Sequence, residues 1–169
     1  MSRLDSAIRR LEAQRACLDR AIALIEGQPG PVLELGLGNG RTYDHLATHL
    51  PGREIFVFDR QVAAHPDSMP DARHLILGDF RDTLPGSRTR IGAPARLVHA
   101  DIGSGDREAT AALAAWLGPA LVPLLAVGAI IVADQALAGT GLEPLAPPEP
   151  VGPGRYFMYR YGAPATPTG

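Results

Sequence analysis

The chain has 169 residues, 46 % of them apolar, a formal charge of −2 and 16 basic residues that are all arginine. That length and apolar content suit one domain with a proper core; the balanced charge, with no basic block, excludes a phosphate-tracking face and hence nucleic acid as a partner. A single cysteine, Cys17, excludes an internal disulfide and fits a reducing, cytoplasmic setting, and no charged-then-apolar leader opens the chain.

From Leu4, the residues Ile8, Leu11, Arg15, Leu18, Ile22 and Ile25 advance by alternating steps of four and three, which predicts a helix of about seven turns ended by Gly27, Pro29 and Gly30. Its apolar seam has two uses, packing on the domain's own sheet or active-site mouth, or pairing with another subunit. Because the seam is long for a small domain, a homo-oligomer built through this helix is expected. Residues 1–27 are read as this element, 28–162 as the main domain and 163–169 as a tail.

The stretch Pro31-Val-Leu-Glu-Leu-Gly-Leu-Gly-Asn-Gly-Arg-Thr42 reads as strand, glycine turn and helix start. Glycines at 36, 38 and 40 remove every second Cβ from the turn, so a ligand can approach the backbone and the N–H groups of the following helix. A dinucleotide fingerprint, G-x-G-x-x-G, would need its third glycine where Arg41 stands. The turn therefore fits a nucleoside better than a pyrophosphate.

Glu54 to Asp59 is a second buried strand tipped by a carboxylate, and Asp59 lies 19 residues beyond Gly40, the place from which an acid reaches ribose hydroxyls in open α/β sites. Two X-Pro pairs limit residues 61–73 to one short helical turn, and His74 to Phe80 gives a third strand with Asp79 at its tip, able to cap the turn that follows. Residues 83–94 read as loop, and Arg96 to Asp101 as a fourth strand. Asp106 to Leu117 reads as a helix stopped by Gly118-Pro119, and Gly128 to Asp134 as a fifth strand. The uncharged run Ala109 to Ala133 mimics a membrane span, but Gly118-Pro119, Pro123 and Gly128 divide it into helix, turn and strand. Proline-rich residues 135–154 read as one irregular loop, and Arg155 to Tyr161 as a terminal antiparallel strand at the sheet edge. This order is that of an α/β fold, a doubly wound, Rossmann-like, mostly parallel sheet with an N-terminal helical extension and a shortened C-terminal strand set.

The set formed by E-x-G-x-G-x-G (Glu34 to Gly40), Asp59, Asp79-Phe80 and the acid-tipped fourth and fifth strands resembles the class I S-adenosylmethionine-dependent methyltransferases from about Pro31 to Asp134. The resemblance implies S-adenosyl-L-methionine as methyl donor and S-adenosyl-L-homocysteine as product. By the same resemblance Glu34 and the backbone of Gly36, Gly38, Asn39 and Gly40 hold the amino-acid part of the donor, Asp59 with Arg60 the ribose, and Asp79 with Phe80 the adenine. Asp101 borders both donor and acceptor, and Asp101 and Asp134 are the expected catalytic groups. A small-molecule acceptor is expected, with Tyr43, Tyr156 and Tyr159 as candidates for an aromatic pocket; His99 reads as a core histidine, and His45 and His49 as solvated. No resident metal is expected. The alternatives are a donor-binding module without turnover, or the catechol-type magnesium site that Asp101, Asp134 and Gln135 resemble in position.

Overall fold

The computed structural model describes residues 2–162, so the tail expected at 163–169 lies outside the described residues. Helix α1 (Arg3–Leu24) starts in a reciprocal cap, in which Ser2 Oγ accepts from the Asp5 N–H and Asp5 Oδ2 accepts from the Ser2 N–H. Strands β1 (Val32–Leu35), β2 (Ile55–Asp59), β3 (Leu75–Leu77), β4 (Ala95–Ala100) and β5 (Leu125–Ala133) run parallel; β6 (Leu142–Leu145) and β7 (Phe157–Tyr161) are antiparallel to their neighbours. The order is β3-β2-β1-β4-β5-β7-β6. The chain moves outward one way from β1 and the other way from β4, so the strand order reverses between them, where open sheets place their ligands.

Two apolar layers cover the sheet. Period-two alternation sends Leu33, Leu35 and Val98 to one face, under Ala114, Leu117 and Leu121 of α5 (Arg107–Leu121). Val32, Leu97 and Val132 go to the other face, under Cys17, Leu18 and Ala21 of α1 and Leu46 of α2 (Arg41–His49). The same alternation puts Glu34 and His99 on the α1 side as direct cross-strand partners.

Several expectations are corrected. The C-terminal strand set is complete at seven strands, and β7 lies inside the sheet between β5 and β6. The strand β6 escaped notice because Pro144 interrupts its short pattern; a proline is tolerated there because β6 is the edge. The expected stop at Gly118-Pro119 is absent, since α5 continues to Leu121 with Pro119 in its last turns, and Gly118 lets the helix lie against the Ala138 carbonyl. Strand β5 begins at Leu125, before the expected Gly128, because a register shift against β4 absorbs that glycine at φ +84°. The turn expected after Asp79 is the short helix α3 (Phe80–Thr83), and the expected loop 83–94 contains the one-turn helix α4 (Arg88–Ile91).

The α1 seam is rotated from the expected one. Of the expected residues Leu18 and Ile25 are buried, Leu11 and Ile22 half-buried and Leu4 and Ile8 exposed, and the buried face of the helix is Ala13, Gln14, Cys17, Leu18 and Ala21. Small residues four apart bring this helix close to β4 and β5, which outweighs the longer but interrupted leucine and isoleucine stripe.

Candidate functional site

The glycine turn is held by its neighbours' backbone. The Gly36 N–H donates to the Phe58 carbonyl at 2.8 Å, and Asp59 Oδ2 accepts from the N–H groups of Leu37 (2.8 Å) and Gly38 (3.2 Å). All three glycines have left-handed φ, +93°, +52° and +85°. A Cβ on Gly36 would strike the Asp101 carbonyl, and one on Gly40 the Ser68 carbonyl; one on Gly38 meets no protein atom within 4 Å. Two of the glycines therefore serve packing, and the middle one faces open space.

That space is a cleft of about 630 Å³ at the C-terminal ends of β1, β2, β4 and β5, within the ordinary range for small-molecule sites. Among the expected residues Gly36, Gly38, Asn39, Asp59, Arg60, Phe80, Asp101 and Asp134 line it. Gly40 caps α2 just behind them. Two further expected residues do not line it. Glu34 is fully buried beneath the turn, where Oε1 accepts from Thr42 Oγ1 and Oε2 meets His99 Nδ1 at 2.8 Å. Asp79 Oδ1 caps α3 by accepting from the Arg81 N–H at 2.9 Å.

The sequence allowed α1 to pack at the mouth of the site but did not single out the residues that it brings there. Arg10, Leu11 and Gln14 face the turn across the cleft. Arg10 Nη1 donates to Asp101 Oδ2 at 3.3 Å, and Gln14 Nε2 donates to the same oxygen at 3.1 Å. The available signal was Gln14 itself, a polar side chain among Ala13, Cys17 and Ala21 on the buried face.

The cleft carries three carboxylates, Asp59, Asp101 and Asp134, and three arginines, Arg10, Arg41 and Arg60. Burial raises the Asp134 pKa, and the Asp101 charge adds to the rise, against the lowering effect of the Ile102 and Gly103 N–H groups and the Gln135 amide. His99, beneath them, is fully buried. Burial opposes its charge, but Glu34, by charge and hydrogen bond, and then Asp101 and Asp134 outweigh that effect and leave its pKa above the usual imidazole value. Burial, with Asp101, pushes the Tyr156 phenol far up, so it stays protonated.

The tyrosines do not form one aromatic pocket. Tyr156 is buried with its hydroxyl between Gln14 and His99, Tyr159 accepts from the Leu137 N–H, and Tyr43 lines a separate cleft with Leu50 and Pro70. His45 pairs with Asp19 at 2.7 Å, and His49 meets the His45 carbonyl. The magnesium alternative does not fit the donor set. Asp134 Oδ1 and Oδ2 accept from the Ile102 and Gly103 N–H groups, Gln135 turns its amide nitrogen to Oδ2, and Asp101 Oδ2 is taken by Arg10 and Gln14. Oxygen donors committed to N–H groups do not make a cage for a hard cation.

A seven-stranded sheet of this order, with a glycine turn after β1 and acids at the tips of β2, β4 and β5, defines a class I methyltransferase-type α/β protein. The family model described as S-adenosyl-L-methionine methyltransferase matches residues 1–161, and the chain belongs to that family. It is similar to a crystal structure of an S-adenosyl-L-methionine methyl transferase from Silicibacter pomeroyi DSS-3, with 52 % identity over 96 % of this chain and 99 % of that one and a TM-score of 0.89. Two more distant structures share the fold alone. The MycE methyltransferase of the mycinamycin pathway, solved with Mg, S-adenosyl-L-homocysteine and mycinamycin VI, is 17 % identical over 86 % of this chain and 45 % of that one (TM-score 0.58). The plantazolicin methyltransferase BpumL, solved with S-adenosyl-L-homocysteine, is 16 % identical over 73 % and 46 % (TM-score 0.52). No curated protein matches the chain. The protein is thus an S-adenosyl-L-methionine-dependent methyltransferase. Among the described residues no helix is long and apolar enough to cross a membrane.

Proposed function

We propose that the cleft binds S-adenosyl-L-methionine over the glycine turn and that the methyl group passes to a small molecule entering beside α1. The carrying observation is Gly38, whose missing Cβ leaves an open backbone surface between Asp59 and Asp101. The residues fit the donor in order. Asp101 accepts the donor's ammonium and Arg10 takes its carboxylate, exchanging their mutual ion pair for two ligand contacts. Asp59 and Arg60 face the ribose, Phe80 packs by the adenine, and Asp79 offers it the oxygen that α3 does not use. Glu34 supports the site from below through Thr42.

The donor supplies an electrophilic methyl on a sulfonium centre. What the chain contributes is alignment, the larger part of such a displacement. Where the acceptor arrives protonated, Asp134 is the base: its raised proton affinity moves it toward the range general-base work needs. The acceptor atom, N, O or C, is left open by these residues, and no nucleic acid or membrane partner is proposed. The exposed Leu4 and Ile8 of α1 support a homo-oligomer through the first half of that helix, with residues 28–162 as the catalytic body in the cytoplasm.

The test is titration calorimetry with S-adenosyl-L-homocysteine, followed by a panel of amines, phenols and carboxylates read by S-adenosyl-L-homocysteine release. Binding, and release with one acceptor class, is expected. Absence of binding removes the proposal.

A further inference from the structure

Below the cleft an unbroken chain of hydrogen bonds runs from α1 to the start of α2. Gln14 Nε2 donates to the Tyr156 hydroxyl at 2.8 Å, that hydroxyl meets His99 Nε2 at 3.0 Å, His99 Nδ1 meets Glu34 Oε2 at 2.8 Å, and Thr42 donates to Glu34 Oε1. Glu34 and His99 are fully buried, and Tyr156 and Gln14 nearly so. Nothing in the donor contacts requires such a line of polar groups inside an apolar layer, where each unpaired member is costly.

The donor and acceptor inventory fixes the direction of the chain. With His99 neutral, the state reached above its raised pKa, the Glu34 carboxylate accepts from Nδ1–H and Nε2 is left bare. Tyr156 must then donate to Nε2, which leaves its oxygen lone pairs to accept from Gln14. An amide held with one N–H on Tyr156 has its other N–H aimed at Asp101 Oδ2, as observed at 3.1 Å. With the amide turned over, its oxygen would face both a carboxylate and an acceptor. The orientation of Gln14, and through it the seating of Asp101, is therefore set three residues away by Glu34.

We infer that Tyr156, His99 and Gln14 are positioning residues, which hold Asp101 with Oδ2 anchored so that Oδ1 faces the amino-acid end of the donor. This rests on the reading of Asp101 as the ammonium acceptor. It also accounts for Glu34, whose link to Thr42 fastens the same line to the first turn of α2, the opposite wall of the cleft.

The test compares S-adenosyl-L-homocysteine with 5′-methylthioadenosine, which has the same nucleoside and thioether but no amino-acid group. Calorimetry is run at about pH 9, above the ordinary imidazole range. Tyr156→Phe is expected to weaken S-adenosyl-L-homocysteine about fivefold to tenfold, the scale of one ordinary hydrogen bond, with 5′-methylthioadenosine unchanged within about twofold. His99→Gln keeps both functions in one amide, an N–H for Glu34 and an oxygen for Tyr156, so it retains the native ratio of affinities, whereas His99→Leu behaves as Tyr156→Phe does. Equal weakening of the two ligands by Tyr156→Phe, or weakening of neither, overturns the inference. Asp101→Asn separates the underlying reading: an unchanged ratio in that variant removes Asp101 from the amino-acid subsite, and the positioning role falls with it. A changed ratio in Asp101→Asn beside an unchanged one in Tyr156→Phe overturns the positioning role alone.

Discussion

Replacing Gly38 by alanine separates ligand space from folding. The residue sits at φ +52°, so a Cβ there costs about 1–2 kcal/mol of left-handed strain. It meets no protein atom within 4 Å, so no packing clash adds to that cost. The methyl instead enters the cleft above the N–H groups of the turn. A donor pushed off that surface loses about two of its hydrogen bonds to the flanking Asp59 and Asp101, together about 2–3 kcal/mol and roughly 30- to 150-fold in affinity. Urea denaturation and calorimetry with S-adenosyl-L-homocysteine, run on the same preparation, read the two effects apart. Gly36→Ala and Gly40→Ala are the contrast, because their Cβ atoms would strike the carbonyls of Asp101 and Ser68 and damage folding first. A Gly38→Ala protein that binds as tightly as the parent would refute the placement of the donor on this turn.

Asp59→Ala is expected to weaken S-adenosyl-L-homocysteine by about 1–3 kcal/mol, because it removes an ionised acceptor and frees the Leu37 and Gly38 N–H groups; unchanged affinity in calorimetry would remove Asp59 from the site. Asp134→Asn is expected to slow turnover while leaving that affinity nearly unchanged, as judged by initial rates once an acceptor is found. Cys17 is fully buried and its pKa is raised by burial to about 11, so a thiol reagent at about pH 8 should label the native chain slowly and the urea-unfolded chain once. The folded pKa of His99 lies above its unfolded value, so its stabilising contribution is complete below the ordinary imidazole pKa and is lost as the pH rises through the folded one. Urea midpoints should show that decline in the parent and lose it in His99→Gln.

The part of the site built from contiguous residues was legible in the sequence. The glycine turn, Asp59, Phe80 and the acids ending β4 and β5 each follow directly on a strand, so chain order alone brings them to one end of the sheet. The place of Glu34 behind the turn was not legible, because a motif gives spacing but not the face of the strand; period-two alternation puts it on the same face as Val32, the α1 side, against His99. The residues that α1 brings to the cleft were hidden for a similar reason. Helical periodicity picked out the large apolar side chains, of which Leu18 and Ile25 are buried, while close contact with β4 and β5 also selected Ala13, Cys17 and Ala21, a face that carries Arg10 and Gln14 to the cleft. Strand β6 has only four residues and a proline, and its pairing with β7 depends on partners that local pattern does not reveal.

The most direct test of the donor site is a crystal structure with S-adenosyl-L-homocysteine. The account predicts the ligand's amino-acid group between Arg10 and Asp101, its ribose at Asp59 and its adenine beside Phe80, with the sulfur facing the space next to Asp134. Ligand bound elsewhere, as in the groove between α1 and α2 near Ile8 and His45, would contradict it.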